Sequence, residues 1–384
     1  MSPGRLPSTL QATVAAAGLL IAGALAGCGS TPAASPSVPA VPATAPPLQT
    51  SFTGGTGTGW AVVEMGGPAV QEEDFWEMFA RPAGSVAWRL VTPAGVADNG
   101  GLVAAPAGGA SLLTGFLPSQ ALTFSPLAAT SDSGASWSTA GPVNPGLADV
   151  PDALAAGPGG SLIALTSGGA ELGQDGGAAW TRLITARALA ATPAGKTCQV
   201  TGLSAVAFGS AGAPVLGTGC GRPAFAGIFT ESGGRWHAAG PALPKIREDV
   251  EVLRLASVGT SLVALLRAGP GPDASTIAAW YDGSRWTLSA PLRTGSVRST
   301  AIGPGGSVGI ILNAAHAATL AGPGASWRAL PALPRWAATL ALGPDGQVDA
   351  IAAHVSTFTD WRLASAGWSQ QQTIHVTVPY GSSG

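Results

Sequence analysis

The chain has 384 residues, of which 46% are apolar and only 10% are Asp, Glu, Lys or Arg. A net charge of −2 offers no basic surface of the kind that holds nucleic acid, so nucleic-acid partners are excluded. The 56 glycines and 32 prolines predict frequent turns between short apolar runs. This composition favours an all-β fold over a helical bundle.

The N-terminus has the pattern of an export signal. Residues 1–27 carry one basic residue, Arg5, then an apolar run over about 14–25 and small residues, which is typical of a secretory signal peptide and too short for a comfortable membrane span. The segment LAGC at 25–28 resembles the lipobox of bacterial lipoproteins, in which cleavage precedes a cysteine that carries the lipid. The resemblance implies lipidation of Cys28 and anchoring to the outer face of the bacterial cytoplasmic membrane. An ordinary secretory signal that happens to contain Cys28 is the alternative.

The composition of residues 28–47 predicts a tether. After Cys28 this segment consists mainly of Pro, Ala and Ser and has no charged residue, a composition typical of disordered, extended, polyproline-like linkers. The folded domain is therefore expected to span 48–384.

Two cysteines remain for the folded domain. Cys198 and Cys220 flank two apolar runs separated by a Gly/Ala/Ser turn around residue 209, so they are expected opposite each other at the open end of a hairpin. In an oxidising compartment this pair predicts a disulfide. Neither a nearby His nor a second Cys pair completes a metal site, so no metal or other cofactor is predicted.

Two kinds of turn recur along the chain. One kind of turn ends in tryptophan, as in TSDSGASW, and successive tryptophans of this kind are 41 to 56 residues apart. They are Trp88, Trp137, Trp180, Trp236, Trp286, Trp327 and Trp368. A Gly-Pro-Gly or Gly-Pro-Asp turn between apolar runs precedes three of them by about 20 residues. Each unit therefore predicts four short strands, and seven units predict a seven-bladed β-propeller of four-stranded antiparallel blades.

The tryptophan turn, S/T-x-D-x-G-x-x-W, resembles the Asp-box or BNR repeat of sialidase-like β-propellers. One turn matches this pattern in full, the next nearly so, and the later turns replace or lose the acid. In chain order, the residues at the motif positions are Thr130, Asp132, Gly134 and Trp137; Asp175, Gly177 and Trp180; Glu231, Gly233 and Trp236; Gly283 and Trp286; and Gly324 and Trp327. A carboxylate can accept hydrogen bonds from the amides of its own turn, glycine tolerates unusual backbone angles, and indole supplies apolar burial. The interpretation of this motif is structural, and no catalytic residue is assigned.

Loops on the face opposite these turns are the expected ligand face. Two charged clusters lie in such loops: the acidic Glu72, Glu73, Asp74 and Glu77, and the mixed Arg247, Glu248, Asp249 and Glu251. They could bind a ligand or supply the two carboxylates of a glycoside hydrolase. The plainer interpretation is a solvated loop and a surface ion-pair network, each contributing little.

The sialidase resemblance implies three arginines for the substrate carboxylate, a tyrosine nucleophile and an Arg-Ile-Pro motif. The chain has only Tyr281, within a tryptophan turn, and Tyr380, in the C-terminal tail, and it has no Arg-Ile-Pro. The leading hypothesis is therefore a monomeric, non-catalytic binding or assembly scaffold for an envelope protein or a glycan. The alternative is a glycan-active glycoside hydrolase that lacks the sialidase residues.

Overall fold

A computed structural model of the chain describes residues 49–377 except 54–56, 67–74, 94–95, 108–110, 119–126, 140–151, 167, 178 and 314. The signal peptide, Cys28 and the tether predicted from the sequence lie outside the described residues. Within the described part, no helix is long and apolar enough to cross a membrane.

Short antiparallel strands follow one another in sets along the chain. The first three sets are β1 (Gln49–Thr53), β2 (Gly59–Met65), β3 (Phe75–Arg81) and β4 (Arg89–Leu90); β5 (Val96–Pro106), β6 (Leu112–Pro118), β7 (Leu127–Thr130) and β8 (Ser138–Thr139); and β9 (Ala153–Ala156), β10 (Leu162–Thr166), β11 (Gly169–Gln174) and β12 (Ala179–Ile184). Two short helices, α1 (Ala186–Ala191) and α2 (Pro193–Cys198), lead into the next set.

The remaining strands continue the same pattern. They are β13 (Val200–Phe208), β14 (Pro214–Cys220), β15 (Gly227–Ser232) and β16 (Arg235–Ala238); β17 (Val250–Val258), β18 (Ser261–Ala268), β19 (Ser275–Tyr281), β20 (Trp286–Leu288) and β21 (Leu292–Arg293); β22 (Ser299–Ile302), β23 (Val308–Ile311), β24 (Ala317–Leu320) and β25 (Arg328–Ala329); and β26 (Ala337–Leu342), β27 (Val348–His354), β28 (Thr357–Ala364) and β29 (Gly367–His375). The all-β class expected from composition is confirmed.

Within each set, consecutive strands pair antiparallel, and β21 pairs with β19 beside β20. Two ladders join one set to another: β1 pairs in parallel with β22, with Thr50 opposite Thr300, and β14 pairs with β17, with Gly219 opposite Glu251. The first ladder places the first strands of two sets side by side, whereas the second joins the first strand β17 to the second strand β14 of the preceding set.

The Gly-Pro-Gly turns join the first two strands of their sets. The Gly157 N–H donates to the Ser161 carbonyl at 2.7 Å, and Gly303 repeats this bond to Ser307 at 2.9 Å. The tryptophan turns join the last two strands, for example β7 to β8 and β19 to β20. A Cβ placed on Gly160 would lie 3.2 Å from the Gly176 amide nitrogen. The two kinds of turn therefore lie against each other at the same end of the strands of this set.

The core lies between neighbouring sets. Leu262 to Leu266 of β18 are all buried, although successive side chains point to opposite faces of a sheet. One side of this run packs with Ile277 in one apolar cluster and the other side packs with Ile310 of β23 in a second cluster. Because both faces of such a sheet are covered, its strands are continuous apolar runs and do not alternate with polar residues.

The first and last sets also pack against each other. Phe79 of β3 stacks on Phe358 of β28 with ring centroids 4.0 Å apart, and the Gln372 side chain accepts from the Trp88 N–H at 2.7 Å and donates to its carbonyl at 2.9 Å. The C-terminal strand β29 pairs with β28. It therefore extends the last set and touches the first set through side chains.

Candidate functional site

The turn at Thr130–Trp137 is held by its own side chains. Asp132 Oδ1 accepts from the Thr130 hydroxyl at 2.7 Å and from the Ser136 N–H at 2.9 Å, and Asp132 Oδ2 accepts from the Ser136 hydroxyl at 2.6 Å. These bonds, with the Ser136 hydroxyl first, hold the pKa of Asp132 well below its usual range. Gly134 adopts a φ of 81°, which favours glycine. Asp132 is thus engaged in stabilising the turn.

In later tryptophan turns, an acid at a different position or with a longer side chain accepts the hydrogen bonds of the turn. Asp282 accepts from the N–H groups of Ser284 and Arg285 at 2.8 and 2.9 Å and from the Ser284 hydroxyl at 2.7 Å. These bonds, the Arg285 N–H first, lower the pKa of Asp282 to about 2. In the fourth unit, Glu231 accepts from the Gly234 N–H at 2.5 Å. The acid can therefore move by one position or lengthen by one methylene and still cap the turn.

The tryptophans of these turns bind the preceding set. The indole N–H of Trp137 donates to the carbonyl of Val91, just after β4, at 2.8 Å. Trp286 donates to Ala239, just after β16, at 2.7 Å, and Trp327 donates to Ala290, just after β20, at 3.0 Å. The motif therefore links neighbouring sets as well as closing its own hairpin, which the local sequence pattern alone does not indicate.

Cys198 and Cys220 form a disulfide with Cα atoms 5.0 Å apart. Cys220 is the last residue of β14 and lies opposite Val200 of β13. Cys198 precedes Val200 by two residues and is the last residue of α2. The connecting turn runs from Gly209 to Ala213, where the Gly209 N–H donates to the Ala213 carbonyl at 2.8 Å. The bond therefore fastens the short helical segment to the hairpin.

The two charged clusters of the expected ligand face have different environments. Glu72, Glu73 and Asp74 lie outside the described residues. Glu77 of β3 is buried, with 6% of its surface exposed, and its carboxylate accepts a hydrogen bond from the Thr92 hydroxyl. A buried and bonded carboxylate of this kind supports the local structure.

In the second cluster, Arg247, Glu248 and Asp249 are exposed at the entry to β17. Glu251 is half-buried and pairs with Arg267 of β18 at 2.6 Å. The geometry there is that of a solvated loop next to a surface ion pair, which contributes little stability.

An exposed aromatic cluster lies on the same face and was missed by the sequence analysis. The Trp336 side chain is 41% exposed although its backbone has a φ of 66°, a strained conformation for a bulky residue. Its ring stacks on His354, with centroids 3.9 Å apart and planes 3° apart, and the Arg335 guanidinium lies 4.6 Å from its centroid. Val355 beside it is 37% exposed with a φ of 52°. We call Arg335, Trp336, His354 and Val355 the aromatic patch.

A cavity of about 140 Å³ lies among the first strands β1, β5, β9, β13, β17 and β22. Most of its wall is Ala, Val and Leu, and Arg254 of β17 contributes a guanidinium. Arg254 Nη1 donates to the Thr300 carbonyl at 3.1 Å, the Thr300 hydroxyl at 3.0 Å and the Ser51 carbonyl at 3.3 Å. Burial lowers the pKa of Arg254 to about 10, so the group stays cationic at neutral pH.

A second buried charged group joins the first and last sets. Asp349 is fully buried, pairs with Arg81 of β3, accepts from Arg362 Nε at 3.0 Å and accepts from Gln347 at 2.8 Å. Asp360 is also fully buried, and burial, followed by the neighbouring Asp349 charge, raises its pKa to about 7.

No protein-family model matches the sequence, and no curated protein matches it. Solved structures similar in fold include a streptogramin B lyase, at 11% identity and a TM-score of 0.48 over 79% of this chain and 89% of that one. YCF48 from Cyanidioschyzon merolae shares 14% identity at a TM-score of 0.48, covering 81% and 94% of the two chains. The Aleuria aurantia lectin, a six-bladed β-propeller, shares 11% identity at a TM-score of 0.36, covering 86% and 96%. Because these identities are so low, the likenesses concern the fold and transfer no site to this chain.

Proposed function

We propose that the chain is an exported, lipid-anchored, seven-bladed β-propeller that binds an envelope protein and acts as a scaffold without catalysis. The lipobox-like segment and the Pro/Ala/Ser tether support the location, and the repeated antiparallel sets support the architecture. Each set would be one blade, with the first strands around the centre.

The observation that carries the binding role is the aromatic patch. Backbone strain persists where the surrounding structure enforces it, and such sites are often functional. Here a strained Trp336 is kept 41% exposed instead of buried. Tryptophan and arginine are also the side chains that dominate the energy of protein interfaces. Strain and exposure together at Trp336 and Val355 favour a surface built to be covered by a partner.

The chemistry of the patch suggests the kind of partner. The Arg335 guanidinium lies over the Trp336 ring, so the patch is apolar with a positive edge. A protein segment that presents an apolar side chain next to an acid would complement it. Arg335 and Trp336 lie between β25 and β26, and His354 and Val355 lie at the β27–β28 turn, so the patch belongs to loops between sets and between second and third strands.

Photocrosslinking in the intact envelope tests the role directly. The full chain would carry a photoreactive phenylalanine analogue at position 336 or, as the control, at position 86. Val86 is 74% exposed but lies in the turn between β3 and β4, at the opposite end of the strands. We expect one discrete protein adduct from position 336 that disappears with Arg335→Glu, and no such adduct from position 86. Equal labelling from both positions, or none from 336, would contradict the proposal.

The glycan alternative has its own readout. Incubating the purified full chain in detergent with a panel of glycosidase substrates should release no sugar. Turnover that Glu72→Gln or Glu73→Gln abolishes would replace the scaffold proposal with a glycoside hydrolase.

The lipid anchor is tested at Cys28. We expect the mature N-terminus to carry a lipid by mass spectrometry, and Cys28→Ala to release the chain from membranes. A chain that stays membrane-bound after this substitution would contradict anchoring through Cys28.

A further inference from the structure

The strand that carries Arg254 is irregular at the point where it meets the cavity. In the β17–β18 ladder, Val252 is opposite Leu266 and Arg254 is opposite Leu265, so Leu253 is an extra residue in β17. An extra residue of this kind is a β-bulge, which changes the direction of the side chains that follow. The bulge thus precedes the one guanidinium among the residues that line the cavity.

The hydrogen bonds of Arg254 use one part of the guanidinium and leave another part open. All three bonds made with described residues involve Nη1, and they fix the plane of the group against Thr300 and Ser51. Nε and Nη2 make no hydrogen bond within the described part of the chain. The Nε–Nη2 edge is the side of a guanidinium that binds a carboxylate with two parallel bonds.

None of the ion pairs of the described structure includes Arg254, and Asp152 is the acidic side chain that lines the same cavity. The ion pairs there involve other arginines, including Arg81, Arg267 and Arg362. Removing a cation from water costs free energy that a bound anion can offset. The lowered pKa of Arg254 reflects this cost.

The size and polarity of the cavity narrow the class of anion. A volume of about 140 Å³ is close to that of an apolar protein cavity of about 150 Å³ that holds benzene, so up to about six non-hydrogen atoms fit. The wall is mainly aliphatic and carries one guanidinium. A dianion such as phosphate would keep an uncompensated charge beside the single guanidinium.

We propose that this cavity is a binding site for a short aliphatic monocarboxylate, with the carboxylate on the Nε–Nη2 edge of Arg254 and the alkyl chain against the alanines of the first strands. The site is separate from the aromatic patch, so it stands or falls independently of the protein-binding role.

Calorimetry on the full chain in detergent tests the proposal with sodium butyrate as the probe. Butyramide has the same shape without the charge, and inorganic phosphate supplies an oxyanion without the alkyl chain. We expect saturable 1:1 binding of butyrate, at least tenfold weaker binding of butyramide, and weaker binding of phosphate.

Two variants locate the site. Arg254→Gln removes the charged edge and should weaken butyrate binding at least tenfold, whereas Arg267→Gln on the adjacent strand should leave it unchanged. Ala256 lines the cavity two residues after Arg254, on the same side of the strand. Ala256→Leu should abolish binding by filling the space while keeping Arg254 and its three bonds, and it serves as the test if Arg254→Gln does not fold.

Each remaining outcome overturns the proposal. The absence of saturable butyrate binding to the unmodified chain would exclude a carboxylate site. Binding that persists in Ala256→Leu would place it outside the cavity. Tighter binding of phosphate than of butyrate would assign the cavity to phosphate instead.

Discussion

Asp360→Asn should reduce the loss of stability that the chain suffers between pH 5 and pH 8. Asp360 is fully buried in β28, and no hydrogen bond of good geometry reaches its carboxyl oxygens within the described residues. Burial, followed by the negative Asp349, raises its pKa to about 7, against the opposing effects of Arg81, Arg362 and the nearby Trp88 indole N–H. The folded state therefore keeps Asp360 protonated at a pH where the unfolded chain has already released the proton.

The sign and size follow from linkage. The pKa of Asp360 is about 7 in the folded state and 3.8 in the unfolded state. The stabilisation that this group contributes is therefore fully present below the unfolded pKa and is lost as pH rises through the folded pKa. Between pH 5 and pH 8 this single group removes about 2 to 3 kcal/mol of the free energy of unfolding. Asparagine has nearly the same shape as the protonated acid and does not titrate, so this component should vanish.

Urea unfolding of the full chain at pH 5, 6, 7 and 8 measures the effect. The difference in free energy of unfolding between the variant and the unmodified chain should grow in favour of the variant by about 2 to 3 kcal/mol across this range. Asp345→Asn is the matched control, because Asp345 is exposed in the turn between β26 and β27. Parallel pH profiles for Asp360→Asn and the unmodified chain would refute the reasoning.

Three further sets of substitutions address the turns and the disulfide, with urea unfolding as the measurement. Trp137→Phe loses the indole bond to the preceding set and should cost about 1 to 2 kcal/mol; an unchanged midpoint would mean that this bond contributes nothing. Replacing Cys198 and Cys220 together by Ala should cost about 3 kcal/mol, and adding reductant to that variant should have no further effect. Gly134→Ala should cost about 2 to 4 kcal/mol, since its Cβ would lie 2.6 Å from a valine side chain. Gly233→Ala, at a φ of 59° with open space around it, should cost only the backbone part, and equal losses would contradict the packing argument.

Much of the fold was predictable because its signals are local. A Gly-Pro-Gly turn between apolar runs specifies a hairpin wherever it lies, and the pairs β9–β10 and β22–β23 form around these turns. The tryptophan turns are local in the same way, since the Asp132 carboxylate bonds only to neighbours within four residues. Such patterns can be interpreted without knowing what the rest of the chain does.

The candidate sites were less predictable because they depend on residues far apart in the chain. Arg254 acquires its setting from Thr300 and Ser51, which lie 46 and 203 residues away. Trp336 matches no turn motif, and its stacking on His354 becomes visible only when the loops meet. Charge density drew attention to Glu77 instead, yet that carboxylate is buried with a hydroxyl partner. A local run of acids did not reveal which charged residues are enclosed.

The enclosed charges fall into two classes that bear on function. A chain with only 10% charged residues nevertheless places Arg81, Asp349 and Asp360 where its first and last sets meet, and there the protein supplies both signs of charge. Arg254 donates hydrogen bonds only to neutral oxygens, and no ion pair of the described residues includes it. A group whose charge is balanced within the protein is explained by structure, because breaking a buried pair leaves an uncompensated charge. A cation that faces a cavity without such a partner is not explained in this way, and this difference singles out Arg254 as the charged residue to test first for a bound ligand.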